Sequence, residues 1–160
     1  MHSDLWNHAL ALYSRPGVET ACLSLQAMGG DVCMLLCGTW LQGRHVAPEP
    51  ARVAALRELA EGWQQEVVQP LRELRQRWRD EAMRDADLAV LREQVKKLEL
   101  EAERTLLKRL ETLARTWPRS SQVSVGDWLD WLAPEQSRAD DALHELRAAA
   151  RNLQRIEDGV

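Results

Sequence analysis

The sequence predicts an all-α fold, and three observations predict it. Apolar residues recur at three- and four-residue spacing through almost every segment. No run alternates apolar with polar positions on a β-branched background. Ser, Asp, Pro and Gly stand where such segments would begin and end. The predicted architecture is three short N-terminal helices packed on a long kinked antiparallel helical hairpin, plus a C-terminal helical tail.

The first helix is expected from a cap at Ser3 to about Ser14, with Leu5, Ala9, Leu12 and Tyr13 on one face. Pro16 suits the first turn of a second helix, which Gly29-Gly30 should end. Asp31 caps or opens a third, running through GGDVCMLLCGTWLQG to about Gln42. Residues 1–43 thus form a short-helix module. After a His-Val-Ala-Pro-Glu-Pro connector, Pro50 opens a long arm with Val53, Leu56, Ala60, Trp63, Val67, Leu71, Leu74 and Trp78 in one stripe. A second arm carries Leu88, Leu91, Val95, Leu98, Ala102, Leu106, Leu110, Leu113 and Trp117. Both stripes read as coiled-coil-like seams, and the short polar link at Arg84 to Asp87 forces an antiparallel hairpin over residues 50–117. At about 1.5 Å per residue, each arm would extend roughly 45 Å. Pro70 removes a backbone hydrogen bond inside the first arm and should kink it. Pro118 ends the 1–117 domain. In the 118–160 tail, Gly126 to Ala133 reads as a short helix, and Ser137 as the cap of a last one bearing Leu143, Leu146, Ala150 and Leu153.

With 45% hydrophobic and 29% charged residues, the chain has enough apolar surface to fold. A net charge of −4 supplies no field towards nucleic acid or an anionic membrane, so neither is an expected partner. No apolar run reaches the ~18–20 residues of a membrane span, and MHSDLWNHALALY has no basic n-region, which makes cytoplasm the expected compartment. The tail is acidic: eight carboxylates against four arginines over residues 120–160.

Cys33 and Cys37 share a helical face, and Cys22 approaches from the preceding helix. Zinc needs four ligands, however, and His8 would have to complete the set, so the reading is buried filler. A di-iron bundle would need Glu-x-x-His on two helices, and none is present. Asp140-Asp141-x-x-His144-Glu145 is the nearest approach to a metal-diphosphate motif, but it lacks an Asp-rich partner helix. Phosphate-loop, dinucleotide-binding, serine-elbow and zinc-protease motifs are likewise missing. No catalytic residue, metal or cofactor is therefore assigned, and the balance favours a non-catalytic protein over an enzyme.

Three functional readings follow. The first is an adaptor that docks a protein partner, using Trp128, Trp131 and Leu132 or the arginine stripe Arg72, Arg75 and Arg79 as anchors. In an antiparallel hairpin turning near residue 84, Arg72 and Arg75 would lie opposite Glu93 to Glu99, so cross-arm ion pairs account for most of that stripe. An acidic partner or the chain's own tail is the next reading. The second is a small-ligand binder or enzyme with a polar pocket near Gln26, Asp31, Arg72 and Glu99; the first two are otherwise caps and turn-fixing residues. The third is self-association through the seams into a homo-oligomer.

The pattern Leu5-Trp6-x-x-Ala9-x-x-x-Tyr13-x-x-Pro16-Gly17-Val18-x-x-Ala21-Cys22-Leu23-x-Leu25-Gln26, then Asp31-Val32-x-x-Leu35-Leu36-x-x-x-Trp40-Leu41, resembles a family of small uncharacterised bacterial proteins defined as a domain of unknown function. Pro70-Leu71-Arg72 and Glu99-Leu100-Glu101-Ala102-Glu103-Arg104 resemble its later motifs, so the resemblance covers about residues 4 to 117. The family pattern has an acidic residue after the Gln and an Asn after Asp-Val. This chain carries Ala27 and Cys33 there, which weighs against a polar site in that stretch. The resemblance implies no activity.

Overall fold

The computed structural model describes residues 4–121 and 126–159, and among these every regular element is helical. Helix α1 (Leu5–Tyr13) is capped by Asp4, whose carboxylate accepts from Asn7 N at 2.8 Å. The expected cap Ser3 lies outside the described residues. Helix α2 (Val18–Ala27) starts after Gly17, and Pro16 stands in the turn before it rather than in its first turn. Gly29 takes the left-handed conformation (φ 94°) and Gly30 N donates to Leu25 O at 2.8 Å, closing the helix end as the Gly pair predicts. Asp31 caps α3 (Val32–Gly43), with its carboxylate accepting from Met34 N.

Helix α3 is the hub. Cys33 to Leu41 are all buried, with α1, α7, α8 and α9 packed around them. This position explains why the stretch is apolar without a sharp stripe: a helix surrounded on all sides has no polar face to keep.

Pro50 opens α4 (Pro50–Trp63) as expected. The arm then widens into one π turn (Gln64–Val68), with Gln69 N donating to Gln64 O five residues back, before α5 (Gln69–Arg77) resumes with Pro70 in its first turn. The expected kink is thus a π turn beside the proline, where the missing N–H and the ring leave the straight ladder unfavourable. A second break at Trp78 leads to the short α6 (Arg79–Ala82). Helix α7 (Ala86–Ala114) returns antiparallel after Asp85 caps it.

The seam on α7 differs from its sequence pattern. Towards the base, Ala102, Leu106 and Leu110 are buried as expected. Towards the tip, Leu91 and Leu98 are 49% and 55% exposed, and Arg92 and Glu99 take the inward positions. Glu99 is only 7% exposed and Arg92 Nε donates to Arg75 O at 2.9 Å. Two adjoining stripes on one helix are separated by a single residue, and the arginines of α5 select the polar one.

The chain beyond Pro118 joins the same core. Helix α8 (Trp128–Leu132), capped by Asp127, packs on α3, and α9 (Asp141–Glu157) packs on α2. The cap of α9 is Asp140, accepting from Ala142 N at 2.9 Å; the expected cap, Ser137, is buried in a preceding turn and donates to Pro134 O. Gly38 permits the α3–α8 approach. A Cβ there would lie 2.8 Å from Leu132 Cδ1 and 3.3 Å from Trp128 Cβ. None of the described helices is long and apolar enough to cross a membrane.

Candidate functional site

Two clefts meet where the α2–α3 turn, the π turn and α7 come together. The polar one, about 270 Å³, is walled by Gln26 and Asp31 from the turn, Gln64 from the π segment, Gln69 and Arg72 from α5, and Glu103 from α7. The apolar one, about 260 Å³, is walled by Trp6, Leu10 and Tyr13 of α1, Leu23 of α2, and Leu100 and Leu107 of α7. Gln26, Val32, Cys33 and Glu103 line both. The two clefts thus adjoin along these four residues and make up a two-part groove, a polar head beside an apolar body.

The π turn helps to build the head. One extra residue per turn rotates everything that follows by about 100°, so α4 faces the core while Gln64 and Gln69 reach the cleft. Gln64 Nε2 donates to Asp31 Oδ1 at 3.1 Å, and the same oxygen accepts from Met34 N at 3.2 Å. Burial raises the Asp31 carboxyl above its ordinary value; the hydrogen bonds to Met34, Gln64 and Cys33 and the charge of Arg72 pull the other way. Glu103 is also raised, first by burial, with Glu99 and Asp31 adding and Arg72 and Arg75 opposing. No hydrogen bond or ion pair ties the Glu103 carboxylate to any other described residue. A partly buried carboxylate without a partner stands at the junction of the two clefts.

Arg72 is half committed. Its Nε lies 3.3 Å from Glu99 Oε2, while Arg75 grips the same carboxylate through Nε at 2.6 Å and Nη2 at 3.3 Å. These contacts raise the Arg75 guanidinium further above its ordinary value, the Glu99 hydrogen bond being the main cause. The charge on Glu99 is thus neutralised inside the hairpin, and the cleft keeps Asp31, Glu61 and Glu103 against Arg72.

Of the predicted pocket residues, Gln26, Asp31 and Arg72 line one cleft, and Glu99 stands behind Arg72 rather than at the surface. Of the predicted partner anchors, Arg72 and Arg75 are engaged with Glu99, whereas Arg79 is exposed. Trp131 is 41% exposed. Trp128 and Leu132 correct the expectation of a tail-borne anchor: Trp128 is 0% exposed, stacks on Trp117 with ring centroids 6.1 Å apart, and donates from Nε1 to Val46 O at 2.6 Å. Leu132 is buried against α3. A side chain with no accessible surface in the folded chain offers a partner nothing to hold.

Sequence reasoning missed Gln64, Glu103 and the apolar body. Glu103 left one readable sign, since it stands four residues from Glu99 and so on the same face of α7. Cys33 lines both clefts, but burial raises its thiol well above the ordinary value, as it raises Cys22 to about 11 and Cys37 further. All three are free thiols buried in the core, a setting that disfavours the thiolate. Among the described residues, no three His, Cys, Asp or Glu side chains converge as metal ligands would.

Residues 4–110 match a family model described as Protein of unknown function (DUF2390). The chain belongs to this family. No curated protein and no solved structure matches it. The matched span contains every groove residue named above and ends within α7, before α8 and α9.

Proposed function

We propose that the protein is a non-catalytic binding protein whose groove takes a small amphipathic ligand, with a cationic or strongly hydrogen-bond-donating head at Asp31 and Glu103 and an apolar body against Trp6, Tyr13 and Leu100. The observation that carries this reading is the sharing of Gln26, Val32, Cys33 and Glu103 by a polar and an apolar cleft. A pocket of mainly apolar lining with a few convergent polar groups is the usual form of a small-molecule site. Carboxylates raised by burial, one of them unpartnered, gain most from a cation placed beside them. Among the described residues, no nucleophile hydrogen-bonded to a base accompanies them, which supports binding over catalysis.

Calorimetry with n-octylamine and octanoate as probes tests this. Octylamine should bind at one site, and Asp31→Asn with Glu103→Gln should weaken it by about tenfold or more, because each charge-assisted hydrogen bond is worth roughly 1.5–3 kcal/mol. Equal binding of octanoate, or an unchanged affinity in the double variant, would defeat the proposal.

The adaptor reading draws on a separate feature, the distal arm. Helix α5 and residues 86–98 of α7 hold no buried side chain, and Val90, Leu91 and Leu98 are exposed, as is Arg79. A partner retained by the wild-type chain and lost on Leu91→Ser with Leu98→Ser, at unchanged Tm, supports it. Retention by both chains counts against it, and sedimentation of the same variants separates a second copy from a different protein.

A further inference from the structure

We infer that the cleft between the C-terminal half of α3 and α9 is an oxyanion site for a small organic anion, a phosphate monoester or a carboxylate carrying an apolar group. The cleft is about 550 Å³, within the roughly 300–1,000 Å³ range of small-molecule pockets, and it shares no lining residue with the groove described above.

Arg147, Arg151 and Arg155 follow one another at four-residue spacing along α9, which stacks three guanidinium groups on one face. The tail is acidic in total, yet its last helix gathers three of the four arginines of residues 120–160 into this cleft. Arg147 is already satisfied. Its Nε lies 2.6 Å from Asp127 Oδ2 and its Nη2 2.8 Å from Asp130 Oδ1, so both carboxylates of α8 and its cap are used there.

The other two arginines keep their charge uncompensated. Arg155 Nη2 donates to the neutral Asn152 Oδ1 at 2.8 Å, and Arg151 has no hydrogen bond or ion pair with any other described residue. Asp158, the carboxylate at the end of α9, accepts from Gln154 Nε2 at 3.0 and 3.2 Å and forms no ion pair with either. Like charges at this spacing repel along a helix. An oxyanion between them removes that repulsion and receives the planar donor fork that guanidinium presents to carboxylate and phosphate. Leu129 and Ala150 add an apolar wall, which favours an organic anion over a bare inorganic one. Asp127 and Asp130 act through Arg147: they position it at the end of the row.

Calorimetric titration of the full chain with phenyl phosphate, benzoate and inorganic phosphate tests this site. Phenyl phosphate or benzoate should bind once per chain, about tenfold more tightly than inorganic phosphate, and whichever is tighter identifies the oxyanion. Arg151→Gln with Arg155→Gln should lower that affinity by about tenfold or more while leaving Tm and octylamine binding unchanged, which keeps this site separable from the groove. Absence of saturable binding by both organic anions, or full affinity in the double variant, overturns the inference.

Discussion

The base of the molecule and its distal arm use the same raw material, amphipathic helices with three- and four-residue spacing, and bury it differently. At the base, α1, α2, α3, α8 and α9 enclose the proximal ends of the hairpin in one continuous core, and its few polar groups are internally paired. His8 Nε2 lies 2.9 Å from Thr39 Oγ1, and because that hydroxyl donates to Leu36 O at 2.7 Å, the ring must be the donor. In the arm, α5 packs against α7 without a third helical layer among the described residues, so the interface can remain partly wet and partly charged. Glu99 sits between Arg72 and Arg75 where a core would place leucine. Enclosure, rather than helix pattern, decides whether an amphipathic stripe becomes core.

The largest test of that contrast is truncation at each end. Trp128→Ala at the base should cost about 3–5 kcal/mol, because it empties a fully enclosed site and removes the bond to Val46 O. Leu91→Ala on the arm should stay within about 0.5 kcal/mol. Urea melts of the two variants measure both, and comparable losses would erase the distinction.

Acid should strike the base next. Burial holds His8 neutral down to about 4, below its ordinary 6.5. The folded chain therefore binds fewer protons than the unfolded chain between those values. The stability supplied by the neutral ring, on the order of 3 kcal/mol, is complete above pH 6.5 and lost as pH falls to about 4. His8→Gln keeps a donor for Thr39 and should flatten the stability curve through that window. A variant as acid-sensitive as the wild type would place the transition on other groups.

The smallest effect belongs to the arm. Glu99→Gln should cost about 1–2 kcal/mol, less than a fully buried pair, because Arg72 and Arg75 are 20% and 26% exposed and water recovers part of the loss. Amide exchange should quicken in α5 and leave α3 unchanged, as local opening predicts. Equal quickening in both would show that the arm and the base unfold together.

Most helix boundaries were legible because caps are local chemistry. Asp31, Pro50 and Gly29-Gly30 act on the few residues beside them, so their positions carry over directly. The Arg–Glu pairing was legible too, since the turn near Arg84 fixes which residues of an antiparallel hairpin face one another. The seam was less so. Leu91 and Leu98 fit a three-four repeat better than Arg92 and Glu99, and only the facing arginines tip the balance. The groove was half visible: Gln26, Asp31 and Arg72 are polar exceptions in apolar or coiled stretches, whereas Glu103 looks like any solvated glutamate until the π turn brings Gln64 and Gln69 beside it. The burial of Trp128 and Leu132 was not legible, because a five-residue apolar helix has the same composition in a core as on a docking face.

The sequence by itself determined the helices, their order and the hairpin turn, because periodicity, caps and a short link act over a few residues. It also offered acid across the arms as the partner of Arg72 and Arg75, which the structure supplies in Glu99. Only the tertiary structure decided that Gly38 leaves room for Trp128 and Leu132, that the acidic tail turns an arginine row into a cleft, and that two clefts adjoin at Glu103. Those outcomes depend on which surfaces of distant segments come into contact, and no single segment carries that information.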